Sequence, residues 1–325
     1  MNRDQVFLSK FKHIFDRIND ELSTNLGSQV YLITDVGKHA LLGEGKRLRP
    51  LLFVLSSHLC GYRRADVYRL SAIFEYTHAA SLIHDDVLDN AELRRNKPSV
   101  RNLWGNLTAV LGGDYLYSKA AGLAIESGKL ELLKLLNETT VQMVEGQFLE
   151  LENTHNWELS REKYMEIIIS KTAALMAAAC AGGAIVADAD RRSFDQLSHF
   201  GRNLGIAFQL LDDILDYTSR EEDFGKPVGK DLREGKITLP LIYTLQGLEE
   251  DEKEGLKRLF RDNRAGEEDY RELIMRVRNN GVIEKIRSEV RELIETNEKY
   301  LEAFPESQIK EHLLELNNYM VERHY

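Results

Sequence analysis

The chain is expected to fold as an all-α protein, a single-domain bundle of long helices, on three observations. Only 5 prolines occur in 325 residues, at Pro50, Pro98, Pro227, Pro240 and Pro305, so long stretches lack the residue that breaks helices. Within those stretches apolar residues recur at intervals of three and four, the period of an amphipathic helix. Alternating strand-like runs bounded by turn residues are scarce.

The elements follow in chain order. A basic segment, Gly45-Lys46-Arg47-Leu48-Arg49-Pro50, precedes the first long apolar series. Leu70, Ile73, Phe74 and Thr77 then lead to Leu82 and Val87, one helix that ends in His84-Asp85-Asp86-Val87-Leu88-Asp89. From Asn90 to Pro98 the helical pattern breaks, and Arg94-Arg95-Asn96-Lys97-Pro98 reads as a binding loop between rigid helices. Leu130, Leu133, Val141, Val144 and Phe148 mark another helix. Residues 172–187 carry no charge, but the run is Ala- and Gly-rich and shorter than the roughly 20 apolar residues of a membrane span, so it predicts a helix buried on all sides. Thr218 to Thr238 is a second interruption, with Gly225, Pro227, Gly229 and Gly235 among many charges. From about 249 to 325 the sequence is strongly charged with helical periodicity and predicts solvated outer helices. No composition break is long enough for a linker, so one domain is expected over 1–325, with its motifs concentrated at about 43–240.

Charge and cysteine content narrow the function classes. Lys+Arg is 43 against Asp+Glu 53, a formal net charge of −10, which disfavours nucleic acid and anionic membrane as general partners. The 2 cysteines, Cys60 and Cys180, cannot build a disulfide framework, and Met1-Asn2-Arg3-Asp4 lacks the apolar stretch of a signal peptide. Both point to a cytoplasmic protein without an integral membrane segment.

The chemistry lies in two acidic triplets of identical DDxxD spacing, Asp85-Asp86-Val87-Leu88-Asp89 and Asp212-Asp213-Ile214-Leu215-Asp216. On a helix, residues four apart share a face, so Asp85 points with Asp89 and Asp212 with Asp216. Like charges so placed repel, and at a helix C-terminus they also oppose the macrodipole. One such triplet could be an exposed helix end; two in one chain call for a compensating cation. Oxygen ligands that leave room for water suit Mg²⁺, which takes one or two carboxylates plus substrate phosphates. Two facing triplets would hold a cluster of Mg²⁺ ions. Basic residues must supply the other half of a diphosphate site: Lys46, Arg49, Lys171, Lys226 and Lys236, each an ordinary surface charge if taken alone, and the Arg94-Arg95 pair, which can grip phosphate oxygens bidentately. His78 lies seven residues before Asp85 and so on the same helix face.

With these residues assembled, the chain resembles the trans-isoprenyl diphosphate synthases of the polyprenyl synthetase family, over roughly Gly43 to Pro240. The resemblance rests on 45–50, on Ser81-Leu82-Ile83-His84-Asp85-Asp86 with Arg94-Arg95, on Lys171-Thr172, on Phe208-Gln209-Leu210-Leu211-Asp212-Asp213, and on Gly225-Lys226 followed by Gly229, Asp231, Gly235 and Lys236-Ile237-Thr238-Leu239-Pro240. Asn96 stands where the family usually has Gly, and Ser99 where it has Thr. Asn tolerates a left-handed backbone, so neither departure should disturb the site. The resemblance implies a helical bundle around a deep central cavity, normally a homodimer, that joins an allylic diphosphate to isopentenyl diphosphate and releases pyrophosphate. It implies that Asp85 and Asp89 ligate two Mg²⁺ ions and Asp212 a third, bound with substrate, with Asp86, Asp213 and Asp216 in support. Arg94, Lys171, Lys226 and Lys236 would hold the allylic diphosphate. Lys46, Arg49, His78 and Arg95 would hold isopentenyl diphosphate. Thr172 and Gln209 would offer oxygen dipoles to the allylic cation.

Product length in such enzymes follows the cavity wall beneath the first triplet. Ala80 and Ser81 are both small there, which favours a long-chain, octaprenyl-like product over a geranylgeranyl or farnesyl one. Ala120, Ala121, Gly122, Ala124, Gly201 and Gly205 either leave further space or serve close helix packing. Two rivals fit less well. A terpene cyclase would not keep the second triplet intact, and a regulatory subunit of a heteromeric synthase tends to lose both.

Overall fold

The computed structural model describes residues 9–41, 45–219, 228–261 and 265–322. The described residues are predominantly helical, as the proline-free periodicity predicts. Their helices are α1 (Lys12–Asn25), α2 (Tyr31–Leu41), α3 (Leu48–Leu59), α4 (Val67–Leu88), α5 (Val100–Glu126), α6 (Leu130–Glu152), α7 (Arg161–Ile168), α8 (Ala174–Val186), α9 (Arg191–Thr218), α10 (Lys230–Arg233), α11 (Leu239–Gln246), α12 (Glu250–Arg261), α13 (Glu267–Asn279), α14 (Val282–Leu301) and α15 (Gln308–Glu322). Strands β1 (Leu93–Arg94) and β2 (Lys97–Pro98) form a small hairpin between α4 and α5. Lys226 and Pro227 lie outside the described residues.

Cα proximity groups the chain into two compact units. The first takes its described residues from Met1–Val141, Leu175–Gly201 and Leu301–Leu314; the second takes them from Gln142–Ala174, Arg202–Tyr300 and Glu315–Tyr325.

Helix α4 is the axis of the first unit. It packs against α1, α2, α3 and, most extensively, α5. Its buried residues, Ile73, Phe74, Tyr76, Thr77 and Ala80 among them, cover every face, which is why the helix is apolar all round up to its acidic end. Each fully buried Leu, Ile or Phe contributes about 1.5–3 kcal/mol relative to exposure. Side chains cap the flanking helices: Ser99 accepts from Asn102 N at the start of α5, at 3.2 Å, and Asp190 from Ser193 N at the start of α9, at 2.8 Å.

In the second unit α11 packs on α7 and α13. Between α7 and α8 the chain makes one wider π turn, Ile169–Ala173, with Ala174 N bonding back to Ile169 O. Two helices without a side-chain β-carbon at the contact make room for it. A Cβ on Gly146 would fall 2.7 Å from Lys171 N, and one on Gly205 would fall 2.5 Å from Ala173 Cα. Gly201, in the first unit, likewise presses against Met176 O. The small residues at 201 and 205 therefore serve close helix packing, the other of the two readings their sequence allowed. The outer helix α14 buries Ile283, Ile286, Val290 and Ile294 at the spacing of three and four that its sequence shows.

The continuous stretch Arg161–Val186, 26 residues long, holds an 18-residue window of mean hydropathy 1.6 and is long and apolar enough to cross a membrane by composition alone. Buried to 72% over its apolar window, it is a core helix, as the uncharged run at 172–187 predicts.

Candidate active site

The two carboxylate triplets lie in different units. In the first unit the triplet occupies the last turn of α4. Asp89 N donates to Asp85 O at 2.8 Å, and Asn90 follows in the left-handed region at φ 52°. Ala91 N then reaches Asp86 O at 2.9 Å and Asn90 N reaches Val87 O at 3.4 Å, the paired bonds of a Schellman stop. Half-buried Asp85 and exposed Asp89 are left one turn apart at the helix end, while Asp86 turns inward and is 3% exposed.

The segment expected as a loop over 90–98 is an ordered hairpin. Leu93 pairs with Pro98 and Arg94 with Lys97. The two linking residues, Arg95 at φ 51° and Asn96 at φ 59°, are both left-handed, as the tightest hairpin turn requires. Asn96 thus does the work expected of a Gly there. The hairpin returns Arg94 to α4, where its Nε and Nη2 donate to Asp86 Oδ1 at 2.9 and 2.5 Å. Ser99 closes the hairpin by donating to Ala91 O at 2.6 Å while it caps α5, two tasks a Thr hydroxyl could share.

His78 lies half-buried two turns before Asp85 on α4. Burial, then the charges of Arg49, Arg95, Arg94 and Arg47, hold its imidazole well below the usual histidine range, so it is neutral at neutral pH. Both basic segments, 45–50 and 94–95, therefore act on one side chain. Lys46 and Arg49 are half-buried at the head of α3. Ala80 is fully buried, and half-buried Ser81 donates to His78 O at 2.8 Å.

In the second unit Asp212 is half-buried and Asp213 is 2% exposed. A line of hydrogen bonds runs through Asp213: Thr172 Oγ1 donates to Gln209 Oε1 at 3.0 Å, Gln209 Nε2 donates to Asp213 Oδ1 at 2.8 Å, and the Tyr164 hydroxyl donates to Asp213 Oδ2. The π turn sets Lys171 and Thr172 beside this line; such turns are frequent at functional sites. Asp216 accepts from Lys230 N at 3.0 Å and Asp231 N at 3.1 Å, and its carbonyl accepts from Gly229 N at 2.9 Å, which anchors the chain after the undescribed stretch. Lys171 pairs with Glu150, and Lys236 with Glu234 at 2.9 Å. Glu150, Tyr164, Lys171, Thr172, Gln209, Asp213, Asp231 and Lys236 line one cavity of about 160 Å³.

Charge is crowded in this cavity. Burial and the neighbouring Asp231 push the Asp213 carboxyl well up, and burial with Asp216 pushes Asp231 up to about 7. Crowded carboxylates that resist ionisation favour the arrival of a cation. Among the described residues no three His, Cys, Asp or Glu side chains converge as a metal cage. The carboxylates each triplet does offer, Asp85 with Asp89 and Asp212 with Asp216, are few and oxygen-only, which fits Mg²⁺ that keeps waters and takes phosphate oxygens.

The structure thus gathers Arg49, Arg94 and Arg95 around His78 on the helix that carries the first triplet, with Lys46 at the head of α3, and brings Lys171, Thr172, Gln209 and Lys236 together with the second. Three residues in these clusters have no motif of their own: Glu75, Glu150 and Tyr164. Glu75 alone left a trace in the sequence, as an acid inside an apolar helical run.

Residues 30–277 match the polyprenyl synthetase family. The chain is 34% identical over 320 residues, 98% of each chain, to an all-trans-nonaprenyl-diphosphate synthase (geranyl-diphosphate specific) of Rhodobacter capsulatus. It is 39% identical over 228 residues to the octaprenyl diphosphate synthase of Escherichia coli, covering 70% of this chain and 71% of that one. To a short chain isoprenyl diphosphate synthase of Methanothermobacter thermautotrophicus it is 36% identical over 292 residues, 89% of each. Among solved structures it is similar to a polyprenyl synthase of Caulobacter crescentus complexed with calcium and isoprenyl diphosphate, with TM-score 0.91, 34% identity and 98% of each chain covered.

Proposed function

The chain belongs to the polyprenyl synthetase family and is a prenyltransferase, and on that premise we propose that it joins an allylic diphosphate to isopentenyl diphosphate repeatedly, to a long-chain all-trans polyprenyl diphosphate. The observation that carries this reading is the line Thr172–Gln209–Asp213 beside Lys171 and Lys236 in one cavity. It sets uncharged oxygen dipoles next to two lysine ammoniums, which is what an allylic cation and its leaving pyrophosphate need.

In this reading Asp85, Asp89 and Asp212 hold three Mg²⁺ ions, which when bound neutralise the diphosphate charge. Asp86 aims Arg94, Asp213 fixes the Gln209 amide, and Asp216 anchors the segment that carries Lys236. Arg94, Lys171, Lys226 and Lys236 bind the allylic diphosphate, and their fixed positive charge stabilises pyrophosphate as the C–O bond ionises. Thr172 and Gln209 face the cation with oxygens too weakly nucleophilic to trap it. Lys46, Arg49, neutral His78 and Arg95 orient isopentenyl diphosphate. The departing pyrophosphate accepts the proton that completes each condensation. Both triplets serve one turnover in this reading, which is why a single domain over 1–325 is proposed.

Ser81, small and half-buried, supports the long-chain product, since it presents little bulk below Asp85; Ala80, expected beside it in the wall, is instead fully enclosed in the helix core. A short-chain product is the second reading, favoured by the 36% identity to the Methanothermobacter enzyme. We further propose a homodimer. Leu107 and Leu111, one turn apart on α5 after its break at Gly105, are 76% and 60% exposed, and a second copy would cover them. A reducing cytoplasm suits Cys60 and Cys180, both free thiols, which burial pushes up to about 11 and about 12.

The test is incubation with Mg²⁺, farnesyl diphosphate and labelled isopentenyl diphosphate, followed by sizing of the dephosphorylated products. No condensation would sink the synthase reading, and a twenty-carbon stop would sink the long-chain one. Chelation of the metal should abolish turnover in either case.

A further inference from the structure

We propose that Glu75 is a positioning residue for isopentenyl diphosphate: its buried ion pair with Arg47 fixes the basic segment 45–49 and the hairpin turn at Arg95 in the arrangement that grips the diphosphate. The inference rests on the roles of Lys46, Arg49, His78 and Arg95 proposed above. It adds two residues to which those roles assign no contact with substrate.

Arg47 is the most enclosed of the basic residues in its segment. It is 6% exposed, and its Nη1 donates to Glu75 Oε1 at 2.6 Å. Its Nε donates to Asn19 Oδ1 at 3.2 Å, and its Nη2 donates to Leu41 O. One guanidinium therefore ties together α1, α2 and α4. Its own backbone is left-handed, φ 47° and ψ 34°, at the N-cap of α3. An Arg does not adopt that conformation by preference, so the fixed side chain holds the backbone there. Lys46 precedes it and Arg49 follows two residues on; both side chains leave a backbone that Arg47 pins.

The same guanidinium reaches the hairpin through a glycine. A Cβ at Gly45 would lie 2.6 Å from Arg47 Nη1 and 2.8 Å from Arg95 Nη1. Only Gly at 45 lets both arginines close on the chain there. Glu75 sits on α4 three residues before His78, hence on the same helix face, and is 5% exposed. It is the carboxylate that acts on Arg95 in favour of its charge, against burial and the repulsion of Arg47 and Arg94. Asp86, the other buried acid on that helix, is taken by Arg94.

A bare stabilising ion pair predicts something different. Apolar replacement of both partners of a buried pair is often neutral for stability. If Glu75 and Arg47 only stabilised the fold, such a replacement would leave substrate binding intact.

The test uses the full chain. Glu75→Gln should raise KM for isopentenyl diphosphate at least about ten-fold, with kcat and KM for the allylic diphosphate changed less than about three-fold. The double variant Arg47→Met/Glu75→Leu should melt near the wild type yet show the same selective KM defect, and it decides the matter if Glu75→Gln does not fold. Returning Glu75 beside Arg47→Lys should restore part of the affinity. A wild-type KM for isopentenyl diphosphate in the folded double variant would overturn the proposal, as would a rise in both KM values together. Calorimetric titration with isopentenyl diphosphate alone keeps the two readings apart. Tight, Glu75-dependent binding without condensation would overturn only the synthase reading. Equal affinity of wild type and Glu75→Gln would overturn this one.

Discussion

Arg94 donates two hydrogen bonds to a single oxygen of Asp86, Oδ1, at 2.9 and 2.5 Å. The middle carboxylate of the first triplet thus faces a guanidinium, while Asp85 and Asp89 remain at the helix end. Identical residues in one motif have been divided between two tasks.

That division predicts distinct variants. Asp85→Ala should nearly abolish turnover and raise the Mg²⁺ concentration needed for half-maximal rate. Asp86→Ala leaves Arg94 without its anchor and should lower kcat by about 100-fold, roughly 3 kcal/mol, at an unchanged Mg²⁺ requirement. Arg94→Lys should behave like Asp86→Ala, because an ammonium cannot reproduce the forked contact. Rate measured against Mg²⁺ concentration checks all three, and an altered requirement in Asp86→Ala would place that residue among the metal ligands.

Ser81 and Ala80 should respond differently to bulk. Ser81 is half-buried, so Ser81→Phe should shorten products while the first condensation proceeds at nearly the wild-type rate. Ala80 is fully enclosed, so Ala80→Phe overpacks the helix core and should cost about 1–3 kcal/mol or more of stability. Product sizing beside thermal melts separates the two. Unchanged products from Ser81→Phe would mean that the growing chain does not pass that wall.

The neutral imidazole of His78 makes stability depend on pH with a definite sign. Burial and the surrounding guanidiniums hold its folded value below the unfolded one of about 6.5. Its contribution is therefore complete above about pH 6.5 and is lost as pH falls toward the folded value. His78→Gln carries no proton to lose. Denaturation midpoints of wild type and His78→Gln should stay parallel from pH 8 to 7, and the wild type should lose ground between about pH 6.5 and 5. Parallel curves throughout would show that the imidazole is not held neutral.

Gly146→Ala should disrupt the π turn. The added methyl would meet Lys171 N at 2.7 Å and Ser170 Cβ at 2.8 Å, backbone and stem that cannot swing aside. A loss of about 1–3 kcal/mol is expected, with a fall in kcat as Lys171 and Thr172 shift. Gly255→Ala, in α12 with nothing within 4 Å, is the control and should be neutral or stabilising by up to about 1 kcal/mol. Equal behaviour of the two variants would remove the argument that Gly146 makes room for the turn.

What could be read in advance was whatever repeats at short range. The triplets were legible because i, i+4 carboxylates recur at two apolar helix ends, and the hairpin's chemistry because Arg94-Arg95-Asn96 interrupts a helical pattern. Its backbone was not, since a loop and a tight hairpin share those residues. The partners that fix the site stand far apart in sequence. Glu75 meets Arg47 across 28 positions and Tyr164 meets Asp213 across 49, distances at which no periodicity operates. The π turn leaves no mark of its own, because the residues that admit it, Gly146 and Gly205, sit on other helices.

Arg95 occupies a backbone position, φ 51°, where glycine would sit at ease and most other side chains incur about 1–2 kcal/mol. Heat and catalysis therefore make opposite demands of one codon. A library of this chain enriched only by survival at high temperature should collect glycine at 95, whereas one enriched by isoprenoid output should retain arginine. Comparing the two enrichments would reveal a working residue without any substrate having been seen.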